Sequence, residues 1–109
     1  VFTNVLTPRS EIIRKNEFMS THVRKGATLG ANSTIVCGNS IGKYAFIGAG
    51  AVVTKDVQDY AIMIGNPAKK IGYACSCGFR LSDATQEIIK CNECNNEYFI
   101  RDDQVLRKE

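Results

Sequence analysis

The sequence predicts an all-β protein, in which a parallel β-helix of six-residue rungs is followed by a small cysteine-rich ribbon. Two observations support this prediction: a repeat with a period of six, and a change of composition after Gly72. A branched aliphatic residue returns at every sixth position, at Val23, Leu29, Ile35, Ile41, Ile47 and Val53. Sustained self-similarity is typical of repeat architectures. The period matches neither a helix nor an ordinary hairpin, but it fits short rungs with a corner after each one.

Small residues accompany the aliphatic ones at two further positions. The residue after the aliphatic one is often glycine, at Gly30, Gly42 and Gly48. Four positions after it the side chain is usually small, at Ala27, Ser33, Asn39, Ala45 and Ala51. We expect the aliphatic residues to fill a narrow core, and glycine and asparagine to supply the backbone freedom of the corners. The regular coils cover residues 23–58, two turns if three rungs make one turn. The alternative is a set of ordinary strands with regular turns.

Longer segments carry a family resemblance. The stretch LGANSTIVCGNSIGKYAFIGAGAVVTKDV, followed by GNPAKKIG, resembles the C-terminal half of hexapeptide-repeat acyltransferases, which use acyl-CoA. The flanks VFTNVLTPRSE and THVRKGATLGAN are similar to those of enzymes that acetylate the 3-amino group of UDP-2-acetamido-3-amino-2,3-dideoxy-glucuronate. The resemblance covers residues 1–73. It implies a left-handed β-helix, acetyl-CoA as co-substrate, and a homotrimer with sites between subunits.

Length and composition limit the number of domains and the classes of partner. A length of 109 residues leaves room for one domain with an appendix, and we divide the chain into residues 1–72 and 73–109. The net charge of +3 is too small to indicate nucleic acid and is compatible with an anionic substrate or cofactor. No apolar run approaches the ~20 residues that span a bilayer, so we expect no membrane insertion. Because the chain opens on Val1 within an apparent rung, we expect a truncated or processed piece whose parent has earlier coils.

The first residues contain two candidate substrate contacts. Val1 to Leu6 read as a strand that Pro8 ends. The resemblance implies that Asn4 faces the substrate at the subunit boundary, whereas the structural alternative is a rung corner or a ladder of asparagines. Arg9 carries a guanidinium that suits a carboxylate or phosphate. Its alternative is an exposed arginine at the start of a loop.

Residues 9–21 interrupt the repeat. An insertion of this length must leave the coil and return, and such insertions often carry function. The resemblance implies a loop that reaches over the neighbouring subunit; the alternative is a surface loop held down by Ile12, Ile13 and Phe18. His22 is the only histidine. It follows the insertion directly, later than the catalytic histidine of related acyltransferases, so we predict that it is not catalytic.

Cys37 reads as a small packed residue, because nothing near it in sequence would lower its pKa. Other repeat residues and the loop that follows them are candidates for a coenzyme site. The resemblance implies that the pantetheine arm lies along small residues such as Ala45, although corner packing explains the same residue. It also implies that the GNPAKK loop binds the adenine and 3′-phosphate end of CoA. The predicted cofactor-binding residues are therefore Ala45, Asn66, Pro67, Ala68, Lys69 and Lys70; for the two lysines an ordinary solvated pair is the alternative.

The tail carries four cysteines in two close pairs, Cys75, Cys77, Cys91 and Cys94. Four thiolates suit tetrahedral Zn²⁺, and a metal would help so short a segment to fold. Disulfides are the alternative, but nothing points to an oxidising compartment. Tyr98 to Ile100 read as the last strand, and residues 101–109 as a frayed polar end.

Together with these observations, the family resemblance implies a cytoplasmic acetyl-CoA-dependent N-acetyltransferase that acts on a nucleotide-linked amino sugar in bacterial surface-polysaccharide synthesis. No side chain is assigned as general base, since an amine with a pKa near neutrality attacks the thioester once it is positioned. The alternatives are O-acetylation of a sugar or another small acceptor, a non-catalytic β-helix scaffold, and, for residues 73–109 alone, a zinc-binding interaction module.

Overall fold

The computed structural model describes residues 1–7, 9–13, 18–81, 88–101 and 104–107. None of these residues lies in a helix, so the predicted all-β class is confirmed. The strands are β1 (His22–Val23), β2 (Thr28–Leu29), β3 (Thr34–Ile35), β4 (Ser40–Ile41), β5 (Phe46–Ile47), β6 (Val52–Val53), β7 (Ala61–Ile64), β8 (Lys69–Tyr73), β9 (Ile88–Lys90), β10 (Glu97–Arg101) and β11 (Gln104–Arg107). No helix of the described residues is long and apolar enough to cross a membrane.

The first six strands form three parallel ladders, one on each face of a coil. Each of the strands β1, β2 and β3 pairs with the strand 18 residues further on, as in His22↔Ser40, Thr28↔Phe46 and Thr34↔Val52. Three six-residue rungs therefore make one turn. The inward residues Ile35, Ile41, Ile47 and Val53 are buried. Val23, which pairs with Ile41 from the coil below, is 44% exposed although it occupies the same repeat position.

The next coil is two residues shorter. Ile41 bridges Val57 and Phe46 pairs with Ile62, so the offset between stacked residues falls from 18 to 16. A strict repeat would place Asp59 in the core, and an unpaired buried carboxylate is costly. Val57 takes the inward position instead and is buried. The last coil is therefore shorter because its next aliphatic side chain, Val57, comes four residues after Val53 instead of six.

The corners correct one expectation about the glycines. Backbone φ is positive at every sixth residue, at Gly26, Asn32, Gly38, Tyr44 and Gly50. Gly30, Gly42 and Gly48 do not belong to this series. They lie where successive coils approach each other too closely for a side chain. A Cβ on Gly30 would lie 2.6 Å from the nitrogen of Ala49 in the next coil, and one on Gly42 would overlap the backbone nitrogen of Asp59.

On the face that contains β3 and β6, further residues stack below and above the two strands. Below β3, the N–H of Ile35 donates to the carbonyl of Val1 (2.7 Å), and Phe2 bridges Ile35 in parallel. The predicted strand over Val1 to Leu6 is therefore a single bridge in the described residues. Above β6, the N–H of Val52 donates to the carbonyl of Gly65 (2.9 Å), and Ala68 donates back to Val52 (2.8 Å). Residues 1–3, β3, β6 and the turn 65–68 therefore stack in that order.

The tail, together with Tyr60 of the last coil, forms a second cluster of buried side chains. β7 and β8 make an antiparallel hairpin, and β9, β10 and β11 make an antiparallel sheet in the order β11-β10-β9. The prediction of a frayed end is wrong for residues 104–107. Val105 pairs with Ile100 and is buried, so its apolar side chain holds β11 on the sheet. The cluster consists of Tyr60, Tyr73, Cys75, Leu81, Ile89, Cys91, Tyr98 and Val105.

Candidate functional site

The predicted coenzyme loop forms the turn between β7 and β8. Asn66 and Pro67 are exposed at its tip, joined by a cis peptide bond. Ala68 is half-buried and packs against the core of the coils. Because the turn completes the rung above β6, its polar tip is held at a defined height on the stack.

The two predicted phosphate ligands have different surroundings. The Lys70 ammonium donates to Gln58 Oε1 (3.0 Å) and to the Tyr73 hydroxyl (3.0 Å), and lies 4.9 Å from the Tyr73 ring centroid. Lys69 is exposed on the neighbouring position of β8. The sequence presents these lysines as a pair, whereas the structure leaves Lys69 as the one directed to the surface.

Asn4 directly follows the rung at the opposite end of the same stack. Asn4 is exposed, and its carbonyl accepts the N–H of Met19 (2.8 Å), so the insertion returns beside it. Arg9 is exposed in a turn in which its carbonyl accepts the N–H of Ile12 (3.2 Å). Three steps of about 4.8 Å separate the rung before Asn4 from the turn 65–68, or about 14 Å. The rung before Asn4 and the turn 65–68 therefore lie on one face of the coils without touching.

Ala45 has surroundings that favour the corner-packing interpretation. Its methyl group belongs to the buried core of the coils. Its carbonyl accepts the N–H of Thr28 (2.8 Å), and its N–H donates to Gly42 (3.3 Å). Contact between Ala45 and CoA stays a prediction that this placement does not support.

The described parts of the insertion, residues 9–13 and 18–21, carry apolar side chains on the surface. Ile13 is 85% exposed and Phe18 is 56% exposed, so they do not hold the loop down. Met19 lies against the coil, where its methyl group occupies the space beside Gly38, and the carbonyl of Ser20 accepts the N–H of Gly38 (3.0 Å). Residues 14–17 of the predicted loop lie outside the described residues. An exposed apolar loop is a typical contact surface for another subunit.

His22 and Cys37 lie in the coils as ordinary repeat residues. His22 is exposed on β1 and donates its N–H to the carbonyl of Asn39 (3.3 Å). Cys37 is buried, and its N–H donates to Thr3 Oγ1 (2.9 Å). Among the residues that the structure describes, neither placement supplies a partner that would activate the side chain.

The four tail cysteines converge on one point. Their sulfur atoms all lie within 4.8 Å of one another, and all four are free thiols. Cys75 Sγ is 3.2 Å from Cys94 Sγ, and Cys77 Sγ is 3.7 Å from Cys91 Sγ. Four thiolates at about 2.3 Å from a tetrahedral Zn²⁺ lie about 3.8 Å apart. The donor set and its spacing therefore fit a closed zinc site.

Two tight turns hold the sulfur atoms. After β8, the N–H of Gly78 donates to the carbonyl of Cys75 (2.9 Å). Between β9 and β10, the N–H of Asn95 donates to the carbonyl of Cys91 (3.0 Å). The one-residue gap between Cys75 and Cys77, tighter than the usual knuckle, still brings both sulfur atoms to the cluster.

The thiols differ sharply in acidity. Burial disfavours the Cys75 thiolate, but hydrogen bonds from the Cys77 N–H, the Tyr98 hydroxyl and the Cys94 thiol outweigh it and lower the pKa of Cys75 to about 6. The Phe79 N–H favours the Cys77 thiolate, but desolvation and the neighbouring Cys75 outweigh it and raise the pKa of Cys77 to about 12. Close thiols that share one negative charge resist further ionisation without a cation.

Sequence reasoning missed a column of tyrosines beside this cluster. Tyr44 and Tyr60 stack with ring centroids 5.6 Å apart, and Tyr60 meets Tyr98 edge-on at 5.1 Å. The signal for Tyr44 was its place six residues after Gly38 in the corner series. Nothing in the spacing of Tyr98 indicated that it joins the column, because β10 brings Tyr98 against Tyr60 only in the folded chain.

The stacked six-residue rungs and the Gly-Asn-Pro-Ala turn make this chain similar to the hexapeptide-repeat acetyltransferases, and the predicted resemblance is confirmed by comparison with known proteins. The chain is 49% identical over 81 residues to dTDP-3-amino-3,6-dideoxy-alpha-D-galactopyranose 3-N-acetyltransferase of Aneurinibacillus thermoaerophilus, covering 74% of this chain and 41% of that protein. The chain thus spans less than half the length of this relative. No family model matches the chain.

Two solved structures share the coils. Serine acetyltransferase from Brucella abortus strain S19 is 32% identical, with a TM-score of 0.50, and the match covers 51% of this chain and 23% of that one. A hexapeptide-repeat-containing acetyltransferase from Vibrio cholerae O1 biovar eltor, complexed with acetyl-CoA, matches the fold with a TM-score of 0.51 at 24% identity, over 52% of this chain and 31% of that one. These relatives and neighbours are acetyltransferases.

Proposed function

We propose that this chain belongs to an acetyl-CoA-dependent N-acetyltransferase that acts on the 3-amino group of a nucleotide-linked sugar in bacterial surface-polysaccharide synthesis. The main support is the shared face, with Asn4 at one end and the turn 65–68 with Lys69 at the other, in a chain 49% identical to a 3-N-acetyltransferase of a dTDP-linked amino sugar. The motifs suggest a UDP-linked substrate and this relative's name a dTDP-linked one. The 3-amino group is common to both.

The reaction needs position more than a strong base. The lone pair of the sugar amine attacks the thioester carbonyl, a C–N bond forms, the C–S bond breaks, and the amine proton leaves while CoA departs as its thiol. Holding amine and thioester together removes much of the entropic barrier. Backbone N–H groups stabilise the oxyanion. We assign Asn4 to the acceptor sugar and Arg9 to its carboxylate or phosphate, and no role in proton transfer to His22.

The coenzyme lies along the shared face in this proposal. The tip of the turn, Asn66 to Ala68, contacts the adenine end, and Lys69 meets the 3′-phosphate. The exposure of Lys69 supports this assignment over the same role for Lys70, whose ammonium already has two oxygen partners.

We further propose a left-handed β-helix that assembles as a homotrimer with sites between subunits. Exposed Ile13 and Phe18 support a loop that packs on a neighbouring subunit. A prism-shaped solenoid also offers flat faces for closed rotational assembly. The division into residues 1–72 and 73–109 is supported by two buried clusters, although β8 runs across the boundary and Tyr60 belongs to the cluster of the tail. The cytoplasmic location stays a prediction.

We propose a structural Zn²⁺ on Cys75, Cys77, Cys91 and Cys94. The support is the convergence of four sulfur atoms within 4.8 Å. Zinc content per chain would be measured in the wild type, in Cys94→Ser and in Cys37→Ser. Cys37 is a matched control, because it is a free thiol outside the cluster. We expect about one zinc per chain in the wild type and in the control, and a loss only in Cys94→Ser; equal zinc content in all three would overturn the site.

The decisive experiment for the function is single-turnover release of CoA thiol by the full-length parent. Acetyl-CoA would be supplied with a UDP-linked 3-amino sugar acid, with a dTDP-linked 3-amino sugar, or with the 3-hydroxy analogue of each. We expect release that requires the amine and falls at least tenfold in Asn4→Ala. Release with the hydroxy sugar alone would indicate an O-acetyltransferase. No release together with no acetyl-CoA binding would leave a β-helix scaffold.

A further inference from the structure

Tyr98 lies between the cysteine cluster and the last coil. It is fully buried, and its hydroxyl is 3.0 Å from Cys75 Sγ. Its ring meets the Tyr60 ring edge-on, with centroids 5.1 Å apart and planes at 66°. One side chain therefore contacts a predicted metal ligand at its polar end and the coils at its apolar end.

The hydrogen bonds of the Tyr98 hydroxyl depend on the charge of the neighbouring sulfur. The hydroxyl accepts the N–H of Ser76 (2.9 Å) and has a single proton to donate. Two acceptors are within reach, Cys75 Sγ at 3.0 Å and Ser76 Oγ at 3.2 Å. A hydrogen bond to an ionised acceptor is roughly twice as strong as one to a neutral acceptor. A metal-bound thiolate at Cys75 therefore draws the proton to sulfur and fixes the orientation of the hydroxyl.

Tyr60 connects this arrangement to the coils. Its N–H donates to the carbonyl of Lys43 in the coil below (2.8 Å). Its carbonyl accepts the N–H of Ala74 (2.7 Å), the residue next to Cys75. Its φ of 63° places it at a corner, and its ring stacks on Tyr44. The backbone path through Ala74 and the ring contact through Tyr98 both lead from the cysteines to this corner.

We infer that Tyr98 is the positioning residue of the cysteine site and couples the bound metal to the last coil, so that the metal-loaded tail caps the C-terminal end of the solenoid. Repeat proteins need a terminal unit that covers the last rung. Hydrogen-bond partners of metal ligands orient them and typically change metal affinity 10- to 100-fold when removed. This inference rests on the zinc proposal and extends it from the tail to the coils.

The experiment compares the full chain with Tyr98→Phe and Tyr73→Phe. Tyr98→Phe keeps the ring against Tyr60 and removes only the hydroxyl. Tyr73→Phe is the matched control, because that hydroxyl bonds to Lys70 instead of to sulfur. Each protein would be titrated with Co²⁺ and Zn²⁺, and the sulfur-to-cobalt charge-transfer band would be recorded. We expect a shifted band and a 10- to 100-fold weaker Zn²⁺ affinity in Tyr98→Phe, with both unchanged in the control.

Hydrogen exchange in the wild type, with and without Zn²⁺, tests the coupling directly. We expect Zn²⁺ to slow exchange of the Tyr60 and Ala61 amides as well as those of the tail, and Tyr98→Phe to reduce the effect on the coil. Metal binding with exchange slowed in the tail alone and an unshifted cobalt band would overturn the inference and leave the zinc site standing. No binding of either metal by the wild type would overturn both. Should Tyr98→Phe fail to fold, the wild-type exchange data still decide the coupling.

Discussion

The N–H of Lys43 donates a hydrogen bond of 2.8 Å to Asp59 Oδ1, which lies in the coil above it. Asp56 accepts the N–H of Ser40 in the same manner, also at 2.8 Å. These carboxylates stand where the repeat shortens from 18 to 16 residues. At the shortened rung, side chains thus satisfy two backbone N–H groups of the coil below.

Asp59→Ala should therefore cost about 1 kcal/mol of unfolding free energy, because the Lys43 N–H loses its partner at a partly solvated site. Asp59→Asn should cost less, since its amide oxygen still accepts the hydrogen bond. Denaturant unfolding of both variants beside the wild type measures the difference. Equal losses in the two variants would show that the charge of Asp59, and not its hydrogen bond, supports the rung.

Val53→Ala and Val23→Ala make the same chemical change at the same repeat position. Val53 is buried, whereas Val23 is 44% exposed. We expect Val53→Ala to cost about 2–3 kcal/mol, from the lost transfer free energy plus the cavity, and Val23→Ala to cost under about 1 kcal/mol. Thermal or denaturant unfolding measures both. Similar losses would mean that the side chain of Val23 is covered in solution.

Gly42→Ala should destabilise the coils more than Gly50→Ala. A methyl group at Gly42 would overlap the backbone nitrogen of Asp59, whereas the space beside Gly50 is open within 4 Å and only its φ of 72° opposes a side chain. Overpacking against backbone costs about 3 kcal/mol, and a left-handed alanine about 1 kcal/mol. The unfolding midpoints of the two variants, measured in one buffer, test this order, which the reverse ranking would contradict.

Lys69→Gln should weaken CoA binding selectively at the 3′-phosphate. Wild-type protein should prefer CoA over dephospho-CoA, and Lys69→Gln should reduce that preference severalfold, because one exposed charge pair is worth up to about 1 kcal/mol. Lys70→Gln should leave the preference nearly unchanged, since the Lys70 ammonium bonds to Gln58 and Tyr73. Calorimetric titration with the two ligands measures the ratio. An effect confined to Lys70→Gln would reverse the assignment.

Much of the fold was predictable, because the repeat is a local property of the sequence. The inward positions of Ile35, Ile41 and Ile47 followed from the period alone, and all three are buried. The four tail cysteines were predicted as one ligand set, and their sulfur atoms do converge. The sequence did not distinguish Lys69 from Lys70, because the partners of the Lys70 ammonium depend on how β8 lies against Gln58.

The sequence by itself determined the stacked six-residue rungs and grouped the four tail cysteines. A six-residue period of aliphatic side chains has a low-energy packing as stacked rungs, and paired cysteines at short spacing have one obvious chemistry. Only the tertiary structure decided which glycines serve corners and which serve stacking, that the last coil closes on Val57, and that Tyr98 joins Cys75 to Tyr60. The physical reason is that these relationships join residues on different rungs or strands, and their energy depends on distances that exist only once the coils are stacked.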